Sequence, residues 1–235
     1  MNYNIVTIDP SIISTAVCVS GKLFNYCRES DVFLKSGRYT KWFDLCKEHV
    51  TYRFITINKE KISYSEGEIL KLKEYSASVD LIISDIKVNI NPELSTKIGI
   101  EGFSYSSMIG PLIDLVTFST LLRSRLYNEI SKDITVLSPM SLKLEACKLT
   151  YPAINIGKKK EKLEWRNKLG IAGGSFNKTD MYYSIIENPN FNNPYALFLK
   201  NIKNQIEQGK SIPKPLEDCN DAYLLYLYLI KHNEK

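Results

Sequence analysis

No apolar run in this 235-residue sequence approaches the roughly 20 residues that a membrane-spanning helix needs, which excludes a helical membrane protein. Histidine is nearly absent: His49 and His232 are the only two, far apart in the chain. The five cysteines, Cys18, Cys27, Cys46, Cys147 and Cys219, are scattered and form no CxxC pair. Zinc held by thiolate and imidazole is therefore excluded, and the cysteines read as reduced thiols. The N-terminus runs straight into NYNIVTID, without the basic, apolar and small-residue regions of a secretory leader. That predicts a protein acting in the cytoplasm of the cell that makes it. Internal repeats, low-complexity tracts and convincing linkers are also missing, so residues 1–235 are expected to form one domain.

What is present is ordinary globular composition, 44% hydrophobic and 24% charged, with a formal net charge of +5. A basic balance favours a polyanionic partner, and its distribution says more than its size. The stretch GKKKEKLEWRNK, residues 157–168, concentrates Lys158, Lys159, Lys160, Lys162, Arg166 and Lys168. Such a run reads either as a solvated face or as a track for a phosphate backbone.

Apolar patterning predicts strands first, then strands and helices in alternation. NIVTID and STAVCVS read as a hairpin around DPSIIS, KLFNYCR as a third strand and YRFITIN as another. Residues 28–49 give no clear pattern. The spacing of Ile69, Leu72, Leu81, Ile82 and Ile86 predicts a helix over 65–88. There follow a strand KIGI ending in Glu101, a helix over 110–131, a strand DITVLS, a helix opened by Pro139 and a short helix KTDMYYSIIEN. The stretch NPNFNNPYALFLKNIKNQIEQGKSIPKPLE reads as an insertion closed by prolines, and EDCNDAYLLYLYLI as a last, almost wholly apolar helix.

Four carboxylates stand out against this background. Asp9 ends the first apolar strand, although an Asp-Pro pair is also ordinary turn chemistry. Glu101 ends another apolar strand, where an unpaired charge is costly. Asp218 and Asp221 stand three apart at the head of the final helix, a spacing that also resembles a capping box. Taken as a set, strand-end acids and a pair at the mouth of an inward-drawn helix can converge at one end of a mixed sheet. Four carboxylates and no histidine make a hard-oxygen site suited to Mg²⁺ or Mn²⁺. Two ions roughly 4 Å apart would activate water and stabilise the leaving oxygen of a phosphodiester.

These segments resemble the RuvC family of Holliday-junction resolvases, which have a ribonuclease H fold. IVTIDPSIISTAV is similar to the first motif of that family, IGIEGFSYSS to its second and EDCNDAYLLYLY to its last. SPMSLK resembles the segment ending in a lysine, here Lys143, and GGSFNKTDM the Gly-Ser turn followed by a lysine, here Lys178. The sequence departs from cellular members in having Asp9-Pro10-Ser11 and Thr15-Ala16, where they carry Asp-Pro-Gly and Thr-Gly, and in this it resembles phage or viral members more. Residues 28–50, 147–172 and 187–215 look inserted relative to compact members.

The resemblance implies an α/β protein with a mixed five-stranded ribonuclease H-like sheet flanked by helices. It implies a metal-dependent endonuclease that resolves branched DNA, with Asp9, Glu101, Asp218 and Asp221 holding two Mg²⁺ or Mn²⁺ ions and Lys178 joining them in catalysis. Lys143 and Lys178 would meet DNA phosphates, with Lys158, Lys159 and Lys160 along a duplex arm. The aromatic that disturbs pairing at the crossover has two candidates, Phe103 and Tyr105, with Tyr105 preferred. A homodimer joined through the helices at 65–88 and 110–131 would present two sites to a four-way junction. Neither a nucleotide cofactor nor a membrane is expected. The alternatives are a related nuclease acting on forks, flaps or RNA–DNA hybrids, a non-catalytic DNA-binding module, and a kinase-like ATPase. The last is disfavoured because Pro10 stands where a phosphate turn needs glycine.

Overall fold

The β-branched runs near the N-terminus form three successive antiparallel strands, β1 (Tyr3–Asp9), β2 (Ser14–Val19) and β3 (Lys22–Arg28). The computed structural model describes residues 2–28, 40–56, 63–103, 109–157, 162–190, 193–208 and 212–233. Ser20 and Gly21 connect β2 to β3 with φ of 47° and 92°, the left-handed pair that matches hairpin twist to strand twist. A short helix, α1 (Thr40–Cys46), leads into β4 (Val50–Ile55), which pairs parallel to β3. Then come α2 (Tyr64–Asn89), β5 (Ser95–Glu101), α3 (Ile109–Glu129), β6 (Ile134–Leu137) and α4 (Pro139–Thr150).

The sheet order is β4-β3-β2-β1-β5-β6, with β5 parallel to β1 and β6 parallel to β5. The expected mixed sheet flanked by helices is therefore present, with six strands instead of five. The additional strand is β4, which extends the edge beyond β3. The remaining elements are a small antiparallel pair, β7 (Ala153–Asn155) with β8 (Leu163–Trp165), a single 3₁₀ turn at Gly173–Ser175, and helices α5 (Lys178–Ile186), α6 (Pro194–Asn201), α7 (Lys203–Glu207) and α8 (Leu216–Asn233). The pair β7–β8, α6 and α7 lie in stretches where apolar patterning predicts no element.

Strand alternation divides the core into two layers. Val6, Ile8, Ile98 and Ile100 face α2 and α3, meeting Ile82, Ile86, Leu122 and Leu126. Ile5, Ala16 and Cys18 face the other way, onto α8, and α4 and α5 pack against that helix in the same cluster. The final helix is buried on nearly every side from Leu216 to Leu227, as its composition requires. Gly99 lets it approach: a Cβ there would stand 3.0 Å from Leu225 Cγ and 3.1 Å from both Leu229 Cδ1 and Thr7 Cγ2. The Thr7 hydroxyl donates to the carbonyl of Ala222 at 2.7 Å and pins α8 over β1. Among the described residues, no helix is long and apolar enough to cross a membrane.

Candidate metal centre

The β1–β5 ladder brings Ile8 opposite Ile100, so the next residues, Asp9 and Glu101, end adjacent parallel strands side by side. Thr7 and Gly99, two residues earlier, both touch α8, and a period of two puts Asp9 and Glu101 on that same face. Asp221 lies one helical turn before Leu225, the residue packed over Gly99, so it overhangs the end of β5. One carboxylate oxygen from each of Asp9, Glu101 and Asp221 lies within 4.8 Å of the others.

Electrostatics explain why such a set is unstable without a cation. Burial, and then the charges of Glu101, Asp221 and Asp218, push the Asp9 carboxyl well above its usual range. Burial raises Glu101 as well, against a hydrogen bond with Asp9 and the nearby Lys178 and Lys143. Burial and Glu101 push Asp221 up to about 7, although Lys178 opposes them. Asp221 is 2% exposed. Its Oδ2 accepts from the Lys178 ammonium, whereas its Oδ1 is buried with no hydrogen-bond partner among the described residues. A divalent ion would supply the missing partner and remove the repulsion. The donors are all carboxylate oxygens, so the set fits Mg²⁺ or Mn²⁺ and not a soft metal.

Asp218 stands differently. The structure brings three acids together, while Asp218 is held by two other groups: Oδ2 accepts from the Ser14 hydroxyl and Oδ1 from the ammonium of Lys214. Asn25 donates to Ser14 at 3.3 Å and continues this buried chain. The capping-box reading of Asp218 and Asp221 does not hold, because α8 begins at Leu216 and both acids lie inside it.

Lys178 opens α5, fixed by a capping box between Asn177 and Asp180. Burial alone would lower its ammonium, but Asp221 and Asp9 outweigh it and hold the charge firmly in place. Lys143 lies on α4, which starts at Pro139 behind the Ser138 cap. A cleft of about 320 Å³ is lined by Asp9, Glu101, Lys143, Lys178 and Asp221, with Pro10 and Pro139 at its walls. Phe103 is packed under the Arg123 guanidinium, 4.7 Å from ring centroid to Cζ. Tyr105, Lys158, Lys159 and Lys160 lie outside the described residues.

No family model matches the chain, and no curated protein matches it. Among solved structures, it is similar to RuvC of Thermus thermophilus at 10% identity, over 97% of this chain and 96% of that one, with a TM-score of 0.42. It is also similar to T. thermophilus RuvC in complex with a Holliday junction substrate at 9% identity, over 98% and 96%, with a TM-score of 0.44.

Three further residues complete the polar surroundings, and sequence reasoning missed them. Lys214 sits in the proline-rich stretch read as the close of an insertion. Glu217 lies 3.6 Å from Lys178 and 3.7 Å from Lys214, so one carboxylate links the two ammoniums. Ser14 hides in an otherwise apolar strand. Lys214 and Asp218 are four residues apart, the spacing at which a helical pair meets, and that was the one legible signal.

Proposed function

We propose that this chain is a metal-dependent endonuclease of branched DNA, acting through one domain over residues 1–235. One observation carries the reading: Asp9, Glu101 and Asp221 converge within 4.8 Å in a cleft that Lys143 and Lys178 also line. Carboxylates gathered beside ammonium groups suit the hydrolysis of a phosphodiester, where the acids bind cations and the lysines meet phosphate oxygens. The four-way junction as substrate is what the resemblance of the five sequence motifs to the RuvC family implies.

In this reading Asp9, Glu101 and Asp221 would hold the catalytic ion, and Asp218 would add a ligand for a second. When bound, Mg²⁺ supplies a more acidic water and neutralises charge developing on the phosphate. Lys178 leaves Asp221 and turns to the scissile phosphate, where it offsets that phosphate's charge. Lys143 approaches the same phosphate from α4 and orients it over the acids. Backbone contacts of this kind give affinity without sequence preference, so selectivity rests on junction shape. The 157–168 stretch, with Lys158, Lys159 and Lys160, extends the basic track along one arm. Phe103 is engaged by Arg123, which leaves Tyr105 as the aromatic proposed to disturb base pairing.

Two active sites would be supplied by a homodimer. Ile69 and Leu72 on α2, and Ile113 on α3, are 54%, 45% and 60% exposed. The Lys71–Asp114 ion pair at 3.3 Å sets these stretches of the two helices side by side. An exposed apolar strip of this kind supports self-association through these helices.

The test is cleavage by the purified protein with Mg²⁺ of matched four-way junction, fork, linear duplex and RNA–DNA hybrid. Paired nicks in the junction are expected, lost in Glu101→Gln. Equal cutting of linear duplex would remove the junction assignment, and absence of cutting on all four substrates would remove the nuclease assignment.

A further inference from the structure

Lys214 has no counterpart among the motifs that led to the reading above, yet it makes a direct polar contact at the site. Its ammonium sits on Oδ1 of Asp218, and the Ser14 hydroxyl takes Oδ2. Both oxygens of this carboxylate therefore have partners, in contrast to Asp221, whose Oδ1 has none among the described residues. The Lys214 side chain is 15% exposed and that of Asp218 is 4% exposed, so the pair is shielded from solvent screening. Glu217 stands 3.7 Å from the same ammonium.

The charge balance leads to the same place. Asp9, Glu101, Asp218 and Asp221 interact with one another and Glu217 with Asp218, five carboxylates in all, and Lys143, Lys178 and Lys214 are three ammoniums among them. Fully ionised, the group carries two uncompensated negative charges, which one divalent ion cancels. A second ion beside Asp218 would stand against the Lys214 ammonium, a like-charge contact in a buried site.

We propose that Lys214 stands in for the second metal ion in the free protein, so that the resting centre binds a single ion on Asp9, Glu101 and Asp221. Asp218 becomes a ligand only when Lys214 withdraws, which makes Lys214 a positioning residue acting through Asp218. A second ion held by Asp218 would then be balanced by the negative charge of a bound phosphodiester. This inference rests on the metal-centre reading of the three acids and assigns the state of the fourth.

The test is the stoichiometry of Mn²⁺ binding to the free full-length protein, read from loss of the free-ion electron paramagnetic resonance signal and from spin coupling between bound ions. Wild type and Lys214→Arg, which keeps the positive charge, are expected to bind one ion. Lys214→Gln is expected to bind two and to show the coupled signal. A merely structural role for Lys214 would change melting temperature without changing this count. Asp218→Asn is expected still to bind one ion, because Asp9, Glu101 and Asp221 hold it without Asp218, and Lys214→Met, which also removes the charge, takes the place of Lys214→Gln in the count if that variant fails to fold. Two ions in the wild type, one ion in folded Lys214→Gln, or loss of the ion in Asp218→Asn would each overturn the proposal. Absence of Mn²⁺ binding in the wild type would instead overturn the metal-centre reading beneath it.

Discussion

Replacing Asp221 by Asn in the metal-free protein should stabilise it at alkaline pH. The folded carboxyl is held at about 7 against an ordinary 3.8, chiefly by burial and then by Glu101. A raised folded value means that the folded state keeps the proton longer than the unfolded chain does. The stability contributed by the protonated form is complete below pH 4 and is lost as pH rises to about 7. At 1.36 kcal/mol per unit, the wild type loses about 4 kcal/mol over that window through this group. The amide side chain of the variant does not titrate and has nothing to lose there. The pull of the Lys178 ammonium is already contained in the value of about 7, and the amide's incomplete hydrogen bonding at this buried position offsets about 2 kcal/mol of the gain, leaving a net advantage of about 2 kcal/mol at pH 8. With a urea dependence of about 2 kcal/mol/M, the midpoint should move up by roughly 1 M. The assay is urea unfolding of both proteins in EDTA at pH 5 and pH 8. The Asn variant should gain on the wild type between the two, and added Mg²⁺ should reverse the order by stabilising only the wild type. If Asp221→Asn is less stable than wild type by the same amount at both pH values, Asp221 is a structural residue and the reasoning fails.

Other changes probe the neighbouring parts of the site. Lys178→Ala should slow cleavage and lower the dependence of log K for junction binding on log salt by about 1, the value of one phosphate contact; an unchanged slope in a filter-binding titration would place Lys178 away from DNA. Gly99→Ala should destabilise by about 1–3 kcal/mol, since its Cβ would press Leu225, Leu229 and Thr7 at 3.0–3.1 Å and lift α8 with Asp221; the check is a thermal melt together with Mn²⁺ affinity, both of which should fall. Ile113→Glu should shift sedimentation toward monomer and abolish paired nicking while single nicks persist; an unchanged sedimentation coefficient would move the interface elsewhere.

How much of this was legible in the sequence depended on whether the signal was local. Asp9 and Glu101 announced themselves because each interrupts a β-branched run at its end, where a carboxylate needs a reason. The final helix did so because Leu224, Leu225, Leu227 and Leu229 leave it no polar face beyond its first two turns. The register that sets Asp9 beside Glu101 was not visible, since it depends on pairing across 92 residues of separation, as in the side-chain bond between Asn4 and Thr96. The strand β4 carried the β-branched signal of YRFITIN, yet the compact sheet expected from resemblance had no place for it. The pair β7–β8 was hidden because its strands are three residues long and Ala153, Ile154 and Asn155 face solvent. Helix α6 had a legible start, an Asn193 cap followed by Pro194 at the first turn, but the surrounding Asn and Pro residues read as loop. Lys214 was hidden for a different reason: its pairing with Asp218 is visible only in space, while in the sequence Asp218 stands with the other acids.

The most direct test of the whole account is to locate Mn²⁺ in crystals by anomalous scattering, with wild type and Asp221→Asn grown under the same conditions. A peak about 2.1 Å from carboxylate oxygens of Asp9, Glu101 and Asp221, absent in the Asn variant, is the expected result. Wild-type crystals with the three acids hydrogen-bonded to one another and no peak between them, at Mn²⁺ levels that support cleavage, would contradict the account.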